Sequence, residues 1–299
     1  MERNYNSQGK KPYNKNGRNN FNRSRNQQGN RNQYGNRNQY GNKNFKKPRE
    51  DKDPRQWTKQ DELTRMAQEH TKLMNEKYAD EINACESIIH EDNRDGYVNR
   101  VESQVVFKGT TTDALFSDYC KDWKDKKVCV LNFASYKNPG GGFLTGAQAQ
   151  EESLCHTSFL YNVLEKMKSY YEWNLKHNNL GLYLNRAIYS KNIRFFNENK
   201  SMVCDVLTCA APNRSVIEKY GSFTEEQNYD MLKSRINFIK SILGMYDIDT
   251  VILGAWGCGV FKQNPDTIAR LFSTGGLPVK NAVYAVPDGW NYKVFSEII

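Results

Sequence analysis

The chain has 299 residues, enough to bury a substantial core in one large domain or two small ones. Its formal charge of +9 suggests a nucleic-acid binder until that charge is divided along the chain. The first 50 residues hold 13 Lys and Arg against Glu2 and Glu50, a net +11; the other 249 hold 30 basic against 32 acidic residues, a net −2. The basicity therefore belongs to a tail and excludes nothing about the chemistry of the body.

Residues 1–56 read as a disordered basic tail rich in Asn, Arg and Gly. Its aromatics are scattered singly (Tyr5, Tyr13, Phe21, Tyr34, Tyr40, Phe45), and too little apolar surface is present to offset the ordering entropy of roughly 1–2 kcal/mol per residue. The direct repeat of Arg31–Asn36 in Arg37–Asn42 is too short for a solenoid and reads as low-complexity expansion. Cations and single rings on such a background suit loose binding to RNA or single-stranded DNA, or to another polyanion. Solubilisation and self-association are the bland alternatives.

From Asp61 the residues Leu63, Met66, Ala67, Leu73, Met74 and Tyr78 follow helical spacing, so 57–100 is expected to be a helical extension. Residues 101–299 then alternate. Strands are predicted at Gln104–Phe107, Lys127–Phe133, Met202–Thr208, Thr250–Gly254 and Ala282–Val286. Helices are predicted at Asp113–Asp122, Gln150–Lys168, Thr224–Leu243 on a Thr cap, and Pro265–Phe272. Short apolar strands between amphipathic helices imply an α/β fold, a parallel or mixed sheet covered on both faces, with ligands beyond the carboxyl ends of its strands.

Two glycine-rich loops fall at such ends. After Leu131–Pro139 come Gly140, Gly141 and Gly142, then seven residues, then Gln150, Glu151 and Glu152 opening a helix. Without Cβ atoms a ligand can approach the backbone, and the helix start adds a positive end. As a bare motif, a glycine run is a mobile turn, and Glu at a helix start is ordinary capping. The second loop runs Gly254–Phe261, with Gly257, Cys258, Gly259 and Val260 before Phe261. It lacks the GxxxxGK[ST] pattern and offers a diphosphate only backbone N–H groups. Its bland reading is a tight turn around a core Trp256.

The segments Val130–Ser135, Asn138–Gly142, Gly146–Cys155 and Gly254–Phe261 closely resemble the microbial-type poly(ADP-ribose) glycohydrolases, whose signature is GGG-x(6–8)-QEE. The resemblance runs from about residue 60 to the C-terminus and leaves out the tail. It implies a macrodomain-like three-layer α/β/α fold with a mixed central sheet and an N-terminal helical extension. It also implies hydrolysis of the ribose–ribose bond of poly(ADP-ribose), without metal or cofactor. Glu152 would be catalytic, Glu151 would fix the ribose hydroxyls, and Gln150 would support the rim. Gly140–Gly142 would form the catalytic loop and Gly257–Phe261 the diphosphate loop, with Phe261 against the distal ribose. Ser135 and Asn138 fall where ribose contacts are expected, and Thr111 or Thr112 near adenine.

Glu151 and Glu152, about 100° apart on a helix, cannot flank a sugar. Glu152 is therefore expected to act as acid and then as base, its proton retained through burial and the neighbouring Glu151 charge. His156, one turn on, reads as structural or surface, and His70, His90 and His177 show no metal spacing. Cys258 reads as packing. The seven cysteines are odd in number, contain no CxxC and sit in apolar runs, as reduced thiols do. With a polar N-terminus and no membrane-length apolar run, an intracellular monomer acting on poly(ADP-ribose) or ADP-ribosylated substrates is expected. The alternatives are an ADP-ribose reader without turnover, an RNA-binding factor with an ancillary domain, and a hydrolase of ADP-ribosylated nucleic acid anchored by the tail.

Overall fold

The computed structural model describes residues 58–92, 97–221 and 223–299. The tail, with its expected disorder and repeat, lies outside them. Two helices come first, α1 (Lys59–Lys77) and α2 (Ala79–Ala84). Thr58 starts α1 through a reciprocal cap, its Oγ1 accepting the Asp61 N–H while its own N–H donates to Asp61 Oδ2. The extension is not helical throughout, because β1 (Ser87–Glu91) follows and joins the sheet.

The remaining elements are β2 (Ser103–Lys108), α3 (Thr111–Leu115), β3 (Val128–Phe133), α4 (Gln150–His156), α5 (Leu160–Leu164) and α6 (Lys168–Lys176). They continue through β4 (Arg186–Asn197), β5 (Lys200–Cys209), α7 (Ser215–Tyr220), α8 (Glu225–Met245), β6 (Thr250–Leu253), α9 (Pro265–Ser273), β7 (Asn281–Val286) and α10 (Trp290–Ile298). The seven strands form one sheet in the order β1-β4-β5-β3-β6-β7-β2. β2, β7, β6, β3 and β5 run parallel, while β4 pairs antiparallel with β5 and β1 antiparallel with β4.

Alternation along β3 divides the interior in two. Val128 and Val130 face one core with Leu154 of α4, Leu160 and Leu164 of α5, and Ala67 and Met74 of α1. Cys129 and Leu131 face the other with Leu232, Ile236 and Ile239 of α8 and Phe272 of α9. Each fully buried aliphatic side chain contributes roughly 1.5–3 kcal/mol. Having them on both faces makes β3 a firm mount for the loop that follows it.

The single helix expected over Gln150–Lys168 is instead α4, α5 and the start of α6. Thr157 and Ser158 explain the break. Their hydroxyls donate to the carbonyls of Ser153 and Leu154, four residues back. The freed backbone pairs with β4, where Phe196 N–H donates to the Thr157 carbonyl at 2.7 Å. Among the described residues, no helix is long and apolar enough to cross a membrane.

Candidate active site

A cavity of about 590 Å³ opens beyond the carboxyl ends of all five parallel strands. Its wall takes Thr110 and Thr111 after β2, Phe133 and Ala134 at the end of β3, and Ala211 after β5. Ala255, Trp256 and Gly257 follow from β6 and Pro287 from β7. Thr111, but not Thr112, faces the cavity; Thr112 is buried with its hydroxyl against Thr157.

The first glycine loop is shaped around the two carboxyls. Gly140 and Gly141 hold φ of +64° and +62°, a backbone that side chains resist. A Cβ on Gly141 would stand 2.5 Å from Glu152 Oε1 and 3.0 Å from Glu151 Oε2. Those two oxygens are consequently at most 5.5 Å apart, the sum of the two distances. The divergence expected of neighbouring helix positions is corrected by the side chains, which converge on one point. Glu152 folds back over the first turn of α4, accepting the Ala149 N–H at 3.0 Å and the Gly142 N–H at 2.7 Å. Glu151 reaches toward the end of β3, accepting the Ser135 N–H at 2.6 Å and an Asn132 Nδ2 hydrogen at 3.2 Å.

Both carboxyls are buried, Glu151 at 2% exposure and Glu152 at 6%. Burial drives the Glu151 carboxyl up to about 8, against the downward pull of its hydrogen bonds to Ser135 and Asn132. The Glu152 charge adds a smaller upward push.

Gln150 is committed to structure. β3 pairs with short β6 only through Val130, so the end of β3 lacks a ladder partner on that side. The Gln150 amide takes that place, accepting from Phe133 N–H at 2.8 Å and donating to the Leu131 carbonyl at 2.9 Å. Ser135 Oγ accepts the Lys137 and Asn138 N–H groups within its own turn, and Asn138 is exposed. At this end the cavity is lined by Gln148, Ala149, Gln150 and Ser153. The wall does not include Gly140, Gly141, Gly142, Ser135, Asn138, Glu151 or Glu152. Ala149, which is in the wall, donates its N–H to Glu152 Oε2 and so ties that carboxyl to the wall.

In the second loop two glycines are sterically required. A Cβ on Gly254 would lie 2.4 Å from the Ala285 carbonyl, and Gly257 (φ +77°) would meet Ala211 Cβ at 2.7 Å. Trp256 is buried, as its bland reading had it, and its indole N–H anchors the loop on the Cys209 carbonyl at 2.9 Å. Gly259, Val260 and Phe261 line the cavity, and a Cβ at Gly259 would meet open space. Phe261 rests edge-on against Tyr183, 6.1 Å between ring centres. Cys258 is partly buried, and burial pushes its thiol up to about 12, which suits packing better than nucleophilic attack. His156 lies edge-on to Phe143, 4.7 Å between ring centres, and burial lowers its pKa.

Sequence reasoning passed over Asn132 and Thr208 as site residues. Asn132 Nδ2 bonds both Glu151 Oε1 and Thr208 Oγ1, and its Oδ1 is buried without a partner. The available signal was a lone amide inside the apolar run of β3.

The microbial-type PARG catalytic-domain family model matches residues 31–198, more than half of the chain. That span starts within the stretch read as tail, contains the first glycine loop and stops before the second. No curated protein matches. Among solved structures, an alanine mutant of the poly(ADP-ribose) glycohydrolase of Thermomonospora curvata is 24% identical with a TM-score of 0.70, covering 80% of this chain and 99% of that one. The same enzyme bound to the inhibitor ADP-HPD is 25% identical with a TM-score of 0.69 and the same coverage. The Deinococcus radiodurans poly(ADP-ribose) glycohydrolase in complex with ADP-ribose is 26% identical with a TM-score of 0.62, covering 76% of this chain and 96% of that one.

Proposed function

The chain belongs to the microbial-type PARG family, the poly(ADP-ribose) glycohydrolases, and on that premise we propose that Glu152 moves the proton that cleaves the ribose–ribose bond. One observation carries the assignment: Glu152 is fixed at both oxygens by Gly142 and Ala149, beside the glycine loop and next to the cavity wall. The raised pKa of Glu151 keeps a proton at neutral pH on the carboxyl beside Glu152, and Glu152 takes it up on the way to the substrate.

Glu152 delivers that proton to the glycosidic oxygen as the C1–O bond breaks and positive charge spreads over the ribose ring. Released as a carboxylate, it then takes a proton from the water that attacks C1, and the pair regains its starting charge. The substrate's own diphosphate, in the loop Gly257–Phe261, offsets the cation. Glu151 orients the ribose hydroxyls. Incubating the full chain with radiolabelled poly(ADP-ribose) should release free ADP-ribose. Retention of the polymer without release would make the protein a reader and sink the proposal.

The tail's role belongs to the same reading. With a net +11 over 50 residues it suits a polyanion, the polymer substrate or a single-stranded nucleic acid. Deleting residues 1–50 should flatten the dependence of polymer and RNA affinity on salt, by about 0.7 in log–log slope for each phosphate no longer neutralised. An unchanged slope rejects polyanion binding by the tail. An intracellular monomer completes the proposal; the seven unpaired thiols suit a reducing compartment.

A further inference from the structure

None of the residues lining the cavity is charged, although the ligand read for it is a diphosphate. Backbone N–H groups supply local dipoles but no net charge. Of the cations at the second loop, Lys262 is exposed, and Arg214 donates to the Lys262 carbonyl at 3.1 Å while pairing with Glu225 at 2.6 Å. Charges so placed are screened.

Arg235 of α8 is different. It is fully buried at 0% exposure, and each acceptor it meets is neutral. Nε donates to Asn185 Oδ1 at 2.7 Å, one terminal nitrogen to the Ala210 carbonyl at 2.7 Å, and the other to the Leu182 carbonyl at 3.3 Å. Among the described residues no carboxylate pairs with it. Guanidinium stays charged, and burying it without an acid is expensive for a fold that needs only a hydrogen-bond donor there.

Its position gives the expense a use. Ala210, one of its acceptors, precedes Ala211 in the cavity wall, a step of about 3.8 Å along the chain. Ala211 is the residue against which Gly257 of the second loop is packed. Tyr136 and Tyr183, stacked at 4.1 Å, close over Ala210 together with Phe261, leaving an apolar medium that transmits the field.

We propose that Arg235, buried and unpaired by any acid one residue behind the wall, supplies the positive field that makes this site prefer a diphosphate ligand over a neutral nucleoside. It is a positioning residue, acting on the ligand through Ala210 and Ala211 without touching it. The inference rests on the reading of Gly257–Phe261 as the diphosphate loop.

Asn185→Asp isolates charge from structure. The new carboxylate keeps the acceptor for Arg235 Nε, and the Ser234 hydroxyl, now accepting from Asn185 Nδ2, turns to donate. In the full chain this variant should melt no lower than wild type, bind ADP-ribose about tenfold more weakly and bind adenosine unchanged. Arg235→Lys, which keeps the charge and loses hydrogen bonds, should melt lower yet retain the wild-type ratio of ADP-ribose to adenosine affinity. The inference is overturned if the ratio survives Asn185→Asp, if both ligands weaken alike, or if the ratio is lost in Arg235→Lys. A wild-type chain that binds ADP-ribose no better than adenosine fails at the diphosphate reading itself, a result distinct from a wild-type preference that ignores Asn185→Asp.

Discussion

Replacing Glu152 with Gln should slow release of ADP-ribose from poly(ADP-ribose) by about 10³-fold while ADP-ribose itself still binds within about threefold of wild type. The amide keeps the shape of the carboxyl and can still accept the Gly142 N–H through its oxygen. Its nitrogen, however, is too weak an acid to protonate a leaving oxygen and too weak a base to take a proton from water. The substitution also turns Nε2 toward the Ala149 N–H, two donors facing each other, so a melting loss of about 1 kcal/mol accompanies it. Single-turnover release of labelled ADP-ribose, set beside calorimetric binding of ADP-ribose, separates chemistry from affinity. A rate within about tenfold of wild type would move proton transfer away from Glu152, with Glu151 the next residue to test.

The site was legible where backbone demands show in composition. Three glycines after the apolar run of β3, and a second glycine cluster after Thr250–Leu253, needed no tertiary knowledge to be placed at strand ends. The chemistry around them was not, because it depends on where side chains fold back. Gln150 reads as a polar rim residue, yet its amide is spent replacing ladder bonds that four-residue β6 leaves unmade beside β3. Glu151 and Glu152 point apart on a helical wheel, and only long side chains reaching opposite partners bring their oxygens together at Gly141.

The strand β4 was missed for a related reason. Lys191, Asn192 and Arg194 interrupt its alternation, and the bulge between Ser190 and Ile193 shifts the faces midway. Arg235 gave no signal at all. An arginine in a long amphipathic helix reads as its solvated face, and only the fold shows it turned inward toward Ala210.

The second large effect sets stability against function at Glu151. Its carboxyl has a pKa of about 8 in the fold, above the ordinary 4.5. Below about pH 4.5 it is protonated in folded and unfolded chains alike, and burial of the neutral group costs little. Between about 4.5 and 8 the unfolded chain releases the proton and the folded chain keeps it, so stability falls as pH rises. Above about 8 the fold carries a buried charge, a penalty bounded at roughly 5 kcal/mol by the size of the shift.

Glu151→Gln removes that penalty. Its oxygen can accept the Ser135 N–H, and its nitrogen needs an acceptor where Asn132 now donates. Asn132 provides one by turning its amide over: Oδ1, buried and unpartnered, then accepts from Gln, and the Thr208 hydroxyl reverses to donate to the same oxygen. The variant should therefore melt about 3 °C or more above wild type near pH 9, with the difference shrinking toward zero near pH 5. Its turnover of poly(ADP-ribose) should fall by about 10²-fold or more, since Glu151 no longer supplies a proton to Glu152 and the ribose hydroxyls lose their carboxyl partner. Thermal unfolding of both proteins across that pH range decides the matter. A melting gap that does not widen with pH would show that Glu151 is not the group whose ionisation the fold resists.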